Sequence, residues 1–231
     1  MSLLYELLSN GDRAWALERF FEQWHGIRLL PGGPPGLPPG LARVIGAVER
    51  HPELCPQNYL YAPYEEGHGL LVFASEREGA YEWAYQPGEA DPKVWGRWLL
   101  DRPGGTDWAP ESERLSGFLL QFVLFEAITG APWWVQYPAA RPGLVTVALG
   151  PLRPVLGTWR WPGPDGTFHA ADDTLAFTCG NPYVGRGLTD VSLAARDPAA
   201  LDHLAGVTAD GWLVRGPGGS PTAAEVLPPN G

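Results

Sequence analysis

The sequence of 231 residues predicts an α+β fold, with a mixed or antiparallel sheet and helices mainly on one face. Two apolar segments, 70–75 and 80–86, read as strands, and the second alternates aromatic with small or charged residues. The four residues between them end in Gly79, which suits a hairpin turn. A helical apolar pattern occupies about 111–129, and 30 Gly and 25 Pro indicate many turns between short elements.

The first 50 residues predict helices separated by a loop. A short helical turn is expected at 3–8, and Asp12 is a plausible N-cap for a helix that runs to about residue 25. The proline-rich run 31–40 cannot be helical and is predicted as a loop before a helix over 41–50. The first long helix has one apolar stripe, formed by Leu17, Phe20, Phe21 and Trp24.

The next eighty residues predict a meander followed by the strongest helix of the chain. A first strand is expected over 58–64, with a turn at 65–67 that leads into the strands named above. Residues 94–99 fit either another strand or a short helical lead into a loop at 101–110. The helix then begins at Glu111 or Ser112, and Gly130 ends it.

The last hundred residues predict short strands between Gly/Pro turns, at 144–149, 155–161, 174–178 and 188–195. Asp197 and Pro198 should start a helix of about two turns through Leu204, and 212–214 should make a last contact. We therefore expect one domain over 1–215, with its core motifs in 12–130 and additional strands and a short helix in 131–215. Residues 216–231 are expected to form a loose Gly/Pro-rich tail.

The negative charge is concentrated in the middle of the chain. Residues 51–130 hold thirteen acidic and five basic residues, which is −8 of the net charge of −10. Such a field repels nucleic acid and attracts a basic protein partner, so we expect no nucleic-acid binding. The alternative is that the acidity serves solubility alone.

Cellular context follows from the termini, the apolar runs and the cysteines. The N-terminus lacks the basic start and apolar core of a signal peptide, and the run 118–135 is too polar to cross a bilayer. Cys55 and Cys179 match no ligand or redox spacing. We expect a cytoplasmic protein with two free thiols, no membrane association and no cofactor.

The sequence contains none of the common catalytic or nucleotide-binding motifs, and no catalytic residue is assigned. A carbohydrate-active enzyme would use Glu76 and Glu82 beside Trp83 as its best carboxylate pair. A metal could be held by His169 with Asp172 and Asp173, although a polar turn at a strand end explains these residues better, so no metal site is assigned.

An aromatic and acidic surface suits protein recognition better than catalysis. Tyr and Trp supply rigid anchors, and carboxylates complement a basic partner. The predicted partner-binding residues belong to the first strand and to the hairpin with the loop that follows it: Tyr61, Tyr64, Glu65, Glu66, Glu76, Glu78, Tyr81, Trp83, Glu89 and Asp91. Tyr59 belongs to the first group.

The pattern Phe-Ala-x-Glu-x-x-Gly at 73–79, then Trp83-Ala84 and Asp91-Pro92-x-Val-Trp, resembles the SUKH superfamily. This is the domain of a yeast cell-wall-synthesis regulator and of many bacterial toxin-immunity proteins. Gly26-Ile27, Leu-Pro-x-x-Leu at 37–41 and Glu126-Ala127 agree, so the resemblance covers about 12–130. It implies a SUKH-like α+β domain with no enzymatic activity that binds a protein.

The sequence therefore predicts a non-enzymatic protein-binding domain, and most plausibly an immunity protein that neutralises a cognate bacterial toxin with a basic surface. Two alternatives stay open: a regulatory scaffold without a toxin partner, and the carbohydrate-active enzyme described above. The oligomeric state is not predicted.

Overall fold

The computed structural model describes residues 3–99, 107–181, 187–205, 207–217, 219 and 222–226. Internal contacts divide the chain into two compact units. We call Asn10–Glu126 the meander unit, and Met1–Ser9 together with Ala127–Gly231 the seven-strand unit. The single domain expected over 1–215 stays a prediction, because two compact units can still unfold together.

The helices and antiparallel strands confirm the predicted α+β class. The described helices are α1 (Leu3–Leu8), α2 (Arg13–Phe20), α3 (Pro39–Arg50), α4 (Leu115–Gly130) and α5 (Pro142–Leu149). A π-helical turn follows α2 at Phe21–His25, and 3₁₀ turns occupy Pro52–Leu54 and Pro198–Leu204. Among these described helices, none has the length and apolar character needed to cross a membrane.

The meander unit contains a five-stranded antiparallel sheet whose strands follow one another in chain order. Its strands are β1 (Asn58–Glu65), β2 (Leu71–Glu76), β3 (Tyr81–Tyr85), β4 (Lys93–Trp98) and β5 (Ala109–Arg114). The first three confirm the predicted meander, and Gly79 in the β2–β3 turn has a φ of 73°. β4 confirms the strand alternative at 94–99. Most of the predicted loop 101–110 lies outside the described residues.

Helix α4 packs on one face of this sheet through aromatic rings, as predicted. Phe118 meets Phe73 edge to face at 5.6 Å between ring centroids, and it lies 5.8 Å from Trp83. The predicted helix start at 111 or 112 is wrong, because Glu111–Arg114 belong to β5 and pair with β4. The helix starts at Leu115, where Asp91 accepts a hydrogen bond from the Ser116 backbone N–H at 2.8 Å.

The ends of α2 and α3 follow helix-capping chemistry. Asp12 accepts a hydrogen bond from the Trp15 N–H at 3.0 Å, which confirms it as the N-cap of α2. The π-helical turn after α2 ends at Gly26, whose φ is 69°. The proline-rich run was expected to be loop throughout, but Pro39 and Gly40 already belong to α3. Proline is tolerated there because the first helical turn needs no N–H donor.

The seven-strand unit holds a second antiparallel sheet, in the order β12-β11-β6-β10-β9-β8-β7. Its strands are β6 (Trp133–Ala140), β7 (Arg153–Trp159), β8 (Gly166–Ala170), β9 (Thr174–Gly180), β10 (Thr189–Ala195), β11 (Thr208–Arg215) and β12 (Thr222–Val226). The strands predicted near 155–161, 174–178 and 188–195 are confirmed. Asp197 starts the Pro198–Leu204 turn by accepting a hydrogen bond from the Ala199 N–H.

Several predictions for this unit are wrong. Residues 144–149 form helix α5, because Pro142 starts a helix and tertiary contacts with β10 outweigh the β propensity of Val and Thr. Strands β6 and β8 were not predicted, and β12 lies within the expected loose tail. Most of the rest of that tail lies outside the described residues. Both cysteines are buried free thiols.

Candidate functional site

Three predicted partner-binding residues lie in the core of the meander unit, which corrects the sequence interpretation. Trp83, Tyr81 and Glu76 expose 0%, 1% and 4% of their surface. Trp83 packs on Phe118 and Phe122 of α4. A carboxylate oxygen of Glu76 accepts the Ala80 backbone N–H at 3.0 Å, so this side chain closes the β2–β3 turn from inside. These three side chains stabilise the fold and are not available to a partner.

The remaining acidic residues of the hairpin and of the following loop have different environments. Glu78 is exposed at the turn. Glu89 is exposed and forms an ion pair with Arg114, whose hydrogen bond and charge lower the pKa of Glu89. Asp91 is engaged with α4, since its second oxygen accepts the Ser116 hydroxyl at 2.9 Å. Glu78 and Glu89 therefore stay surface charges, whereas Asp91 is a helix cap.

The strand register places a second set of side chains on the sheet face opposite α4, which we call the outer face. In one cross-strand row, Tyr59 lies opposite Ser75, Ser75 opposite Glu82, and Glu82 opposite Arg97. In the next row, Tyr64, Val72, Ala84 and Trp95 follow one another in the same way. Directly opposite residues in antiparallel strands share a face, so these rows lie on one side of the sheet. Val72 and Ala84 are fully buried there, against Tyr61, Trp95 and Trp108, and the exposed part of this face is at its margin.

Arg97 on β4 organises the outer face. Its Nε donates to Glu82 on β3 at 2.5 Å, and its Nη2 donates to Glu66, which follows β1, also at 2.5 Å. The guanidinium lies 4.5 Å from the centre of the Trp108 ring. Burial opposes the charge of Arg97, but the two carboxylates outweigh it and raise its pKa. Burial raises the pKa of Glu82 despite this partner.

The tyrosines of β1 form the exposed margin of the outer face. Tyr59 and Tyr64 expose 46% and 48% of their surface. The ring of Tyr61 stacks on that of Tyr64, with centroids 5.9 Å apart, and Tyr61 also packs against the small apolar cluster of Leu70, Val72 and Ala84. Arg77 lies over the Tyr59 ring at 4.8 Å. Glu65 is also exposed, but it pairs with Leu71, which lies opposite Tyr85, so its side chain points to the other face of the sheet.

The structure separates the carboxylate pair that a carbohydrate-active enzyme would need. Ser75 lies directly opposite Glu82, so Glu76, the next residue on β2, points to the other face. Glu76 is bound to the turn and Glu82 to Arg97. The two side chains therefore do not converge on one pocket.

The histidine group considered for a metal is also divided. His169 lies on β8 with its Nε2 3.3 Å from the Thr178 hydroxyl, and burial lowers its pKa to about 4. Asp173 forms an ion pair with Arg196. Across the residues that the structure describes, no group of three or more His, Cys, Asp or Glu side chains could hold a metal ion.

Glu126 near the end of α4 is a buried structural hub. It accepts hydrogen bonds from the Gln57 backbone N–H at 2.9 Å and from the Asn58 side-chain amide. Burial raises the pKa of Glu126 to about 8, against the opposing effect of these donors. The contacts fix the entry into β1, and hence the position of Tyr59.

Sequence reasoning missed Arg97, Trp95, Trp108 and Arg77 as parts of the site. Arg97 and Trp95 alternate on β4 with Val94 and Gly96, and this period of two could have signalled a face. On β4 this face is set by the pairing with Glu82 and Ala84 of β3. On β2 a register shift between Val72 and Ala74 places Val72 and Ser75 on the same face and Phe73 in the core. A bulge of this kind leaves no clear mark in the sequence.

Comparisons with known proteins identify no relative. No family model, curated protein or solved structure matches this chain.

Proposed function

We propose that this protein is a non-enzymatic binding protein that recognises a protein partner with the outer face and the β1 margin of its meander unit. The observation that supports this best is the grouping of half-exposed Tyr59 and Tyr64 with the Arg97–Glu66 ion pair. Tyr and Arg are enriched among the residues that contribute most to binding at protein interfaces, and tyrosine buries much area at a small entropic cost.

The arrangement of Arg97 favours a preorganised surface. Two carboxylates and an aromatic ring hold the guanidinium from three directions. Side chains that are fixed before binding lose less conformational freedom on association, which favours affinity. Glu66, Glu82 and Trp108 are fixed by the same contacts.

The partner contacts side chains of the outer face and does not pair with the edge strand of the sheet. β1 is the edge strand of the sheet, but Pro63 lies within it and its register with β2 shifts between Leu60 and Tyr64. Proline and bulges are devices that keep edge strands from pairing with other chains.

The partner we propose is a basic bacterial toxin that the protein neutralises by direct binding, as immunity proteins do. The excess of carboxylates over 51–130 supports a basic partner, since exposed Glu65, Glu78 and Glu89 would steer it towards the meander unit. The SUKH resemblance supports the immunity role and stays a hypothesis that rests on the short motifs.

The test uses the toxin domain encoded by the neighbouring gene. Co-expression should rescue growth, and purified protein should bind this toxin. The double variant Tyr59→Ala/Tyr64→Ala should weaken binding at least ten-fold, because interface tyrosines often contribute about 2 kcal/mol or more. Leu30→Ala is the control, since Leu30 is another half-exposed apolar side chain of the same unit. Equal affinity of both variants and wild type would reject the outer face as the site.

A further inference from the structure

A cleft in the meander unit is distinct from the outer face and has a volume of about 660 Å³. Its walls come from the first turns of α2, α3 and α4, from the loop before β4, and from the end of β5. Three arginines line it, Arg13, Arg43 and Arg114, together with an apolar set that includes Leu17 and Leu119. We name it the arginine cleft. It lies within a unit whose formal charge is negative.

The carboxylates of this cleft are already engaged with other groups of the protein. Asp12 accepts the Trp15 N–H, and both oxygens of Asp91 accept groups of Ser116. These contacts also cap the starts of α2 and α4. A ligand would therefore be bound by the arginine side chains and not by free N–H groups at these helix ends. Glu113 faces Arg13 at 3.5 Å, which is longer than the roughly 2.7–2.9 Å of a good charge-assisted hydrogen bond.

Arg43 and Arg114 keep donor capacity. Arg43 uses Nε for the Pro39 carbonyl and Nη1 for Glu18, and Arg114 uses Nη1 for Glu89 and the Asp91 carbonyl. The other nitrogens of these two guanidinium groups make no hydrogen bond to the described part of the chain. Glu18 and Glu89 expose 43% and 59% of their side chains. Exposed ion pairs are screened by water, so a ligand can replace them at small cost.

We propose that the arginine cleft binds a small organic anion with carboxylate or phosphate groups. The planar guanidinium fork matches both kinds of oxyanion in a bidentate geometry. The apolar wall of Leu17 and Leu119 would cover the carbon skeleton of such a ligand. This site is independent of the outer face, so a protein partner and the anion can bind to the same molecule.

The probes are pyrophosphate and citrate, titrated calorimetrically into the full chain against sodium chloride of equal ionic strength. At least one of the two anions should bind. Tighter binding of pyrophosphate would indicate a phosphate site, and tighter binding of citrate would indicate a carboxylate site. Arg43→Gln/Arg114→Gln should weaken binding about ten-fold or more, since a hydrogen bond to a charged group contributes roughly 1.5–3 kcal/mol. Arg19→Gln is the matched control, because Arg19 on α2 forms an exposed ion pair with Glu22 of the following π-helical turn and does not line the cleft.

Melting temperatures separate a binding defect from a folding defect. If the double variant unfolds, Arg114→Gln alone is used, because Arg114 is half exposed and its replacement leaves the core untouched. The proposal is overturned if neither anion binds at about 10 mM, a hundred times the dissociation constant of a 100 μM site. It is also overturned if Arg19→Gln weakens binding as much as the cleft variants, because the attraction would then be non-specific.

Discussion

The carboxylate of Glu126 accepts a hydrogen bond from the backbone N–H of Gln57 at 2.9 Å, which joins positions 69 residues apart in the chain. The same carboxylate binds the buried side chain of Asn58. Through these contacts α4 fixes the start of β1. Because Glu126 exposes 1% of its surface, its charge is costly when the carboxyl group ionises.

The first prediction concerns pH. Burial raises the folded-state pKa of Glu126 to about 8, above the ordinary value of 4.5. Between these values the folded state holds a proton that the unfolded state releases, so Glu126 should lower the free energy of unfolding as pH rises. Burial lowers the pKa of His25 and His169 to about 4, and these two groups act in the opposite direction up to about pH 6.5, so the fall should be measured between pH 6.5 and 8. One proton contributes at most about 1.4 kcal/mol per pH unit. Urea unfolding at several pH values measures this slope.

The variant Glu126→Gln should flatten that pH dependence. A glutamine oxygen can still accept from the Gln57 N–H, its NH2 group can donate to the Oδ1 of Asn58 once that amide is turned over, and the group no longer ionises. The control is the same replacement at an exposed acid, Glu49→Gln on α3. It should leave the pH dependence of the free energy of unfolding as in wild type. A slope that persists in Glu126→Gln would show that another group causes it.

The second prediction concerns the close approach of β4 to Tyr81. A Cβ on Gly96 would overlap the Tyr81 hydroxyl and the Glu111 carboxylate, which are hydrogen-bonded to each other at 3.2 Å. Gly96→Ala should therefore destabilise the protein by about 1–3 kcal/mol through overpacking. The matched control is Gly143→Ala in the first turn of α5, where nothing lies within 4 Å of the added Cβ. Thermal unfolding of both variants checks this, and equal melting temperatures would contradict it.

The third prediction separates core aromatics from partner-binding aromatics. Trp83→Phe should lower the free energy of unfolding by about 1–3 kcal/mol, because it removes volume from a fully buried site between β3 and α4. At a temperature where the variant stays folded, its affinity for the toxin should equal that of wild type. Tyr64→Ala should show the reverse, with weaker binding and nearly unchanged stability. Loss of affinity in fully folded Trp83→Phe would argue that Trp83 shapes the interface.

The residues behind the SUKH resemblance have mainly structural roles here. Phe73 and Trp83 pack on α4, Glu76 and Gly79 shape the β2–β3 turn, and Asp91 caps α4. A motif of this kind can specify how a meander and a helix pack. It does not specify a partner, because the side chains of the outer face lie largely outside it.

Local sequence patterns were sufficient to predict the strands of the meander. They were insufficient to predict which of its side chains are exposed. Alternating side chains and the glycine of the β2–β3 turn predicted β2 and β3 almost to the residue. They also made Glu76 and Tyr81 look exposed, because a turn is usually solvated. Burial of Glu76 depends on the backbone of Ala80 and the side chain of Gln57, and such tertiary partners are not readable from one segment.

In the seven-strand unit, turn residues hid regular structure. A turn was expected between the strands predicted at 155–161 and 174–178, but Gly166 in this stretch starts β8 and lies opposite Trp159 of β7. Helix α5 has an apolar sequence with little periodicity, which fits a strand as well as a helix. Contacts with distant parts of the chain therefore determine both the strand β8 and the helix α5.

The last prediction concerns electrostatic steering. Replacing Glu76 or Asp91 would disturb the β2–β3 turn or the cap of α4, so the informative variant changes the exposed carboxylates Glu65, Glu78 and Glu89 to Gln. If these charges steer a basic toxin, its association rate constant should fall about ten-fold at low salt and depend less on salt, while the dissociation rate changes little. Stopped-flow binding at low and moderate salt measures this, with the melting temperature as the folding control. Unchanged association at low salt would show that the acidity of the meander unit serves solubility and does not guide the partner.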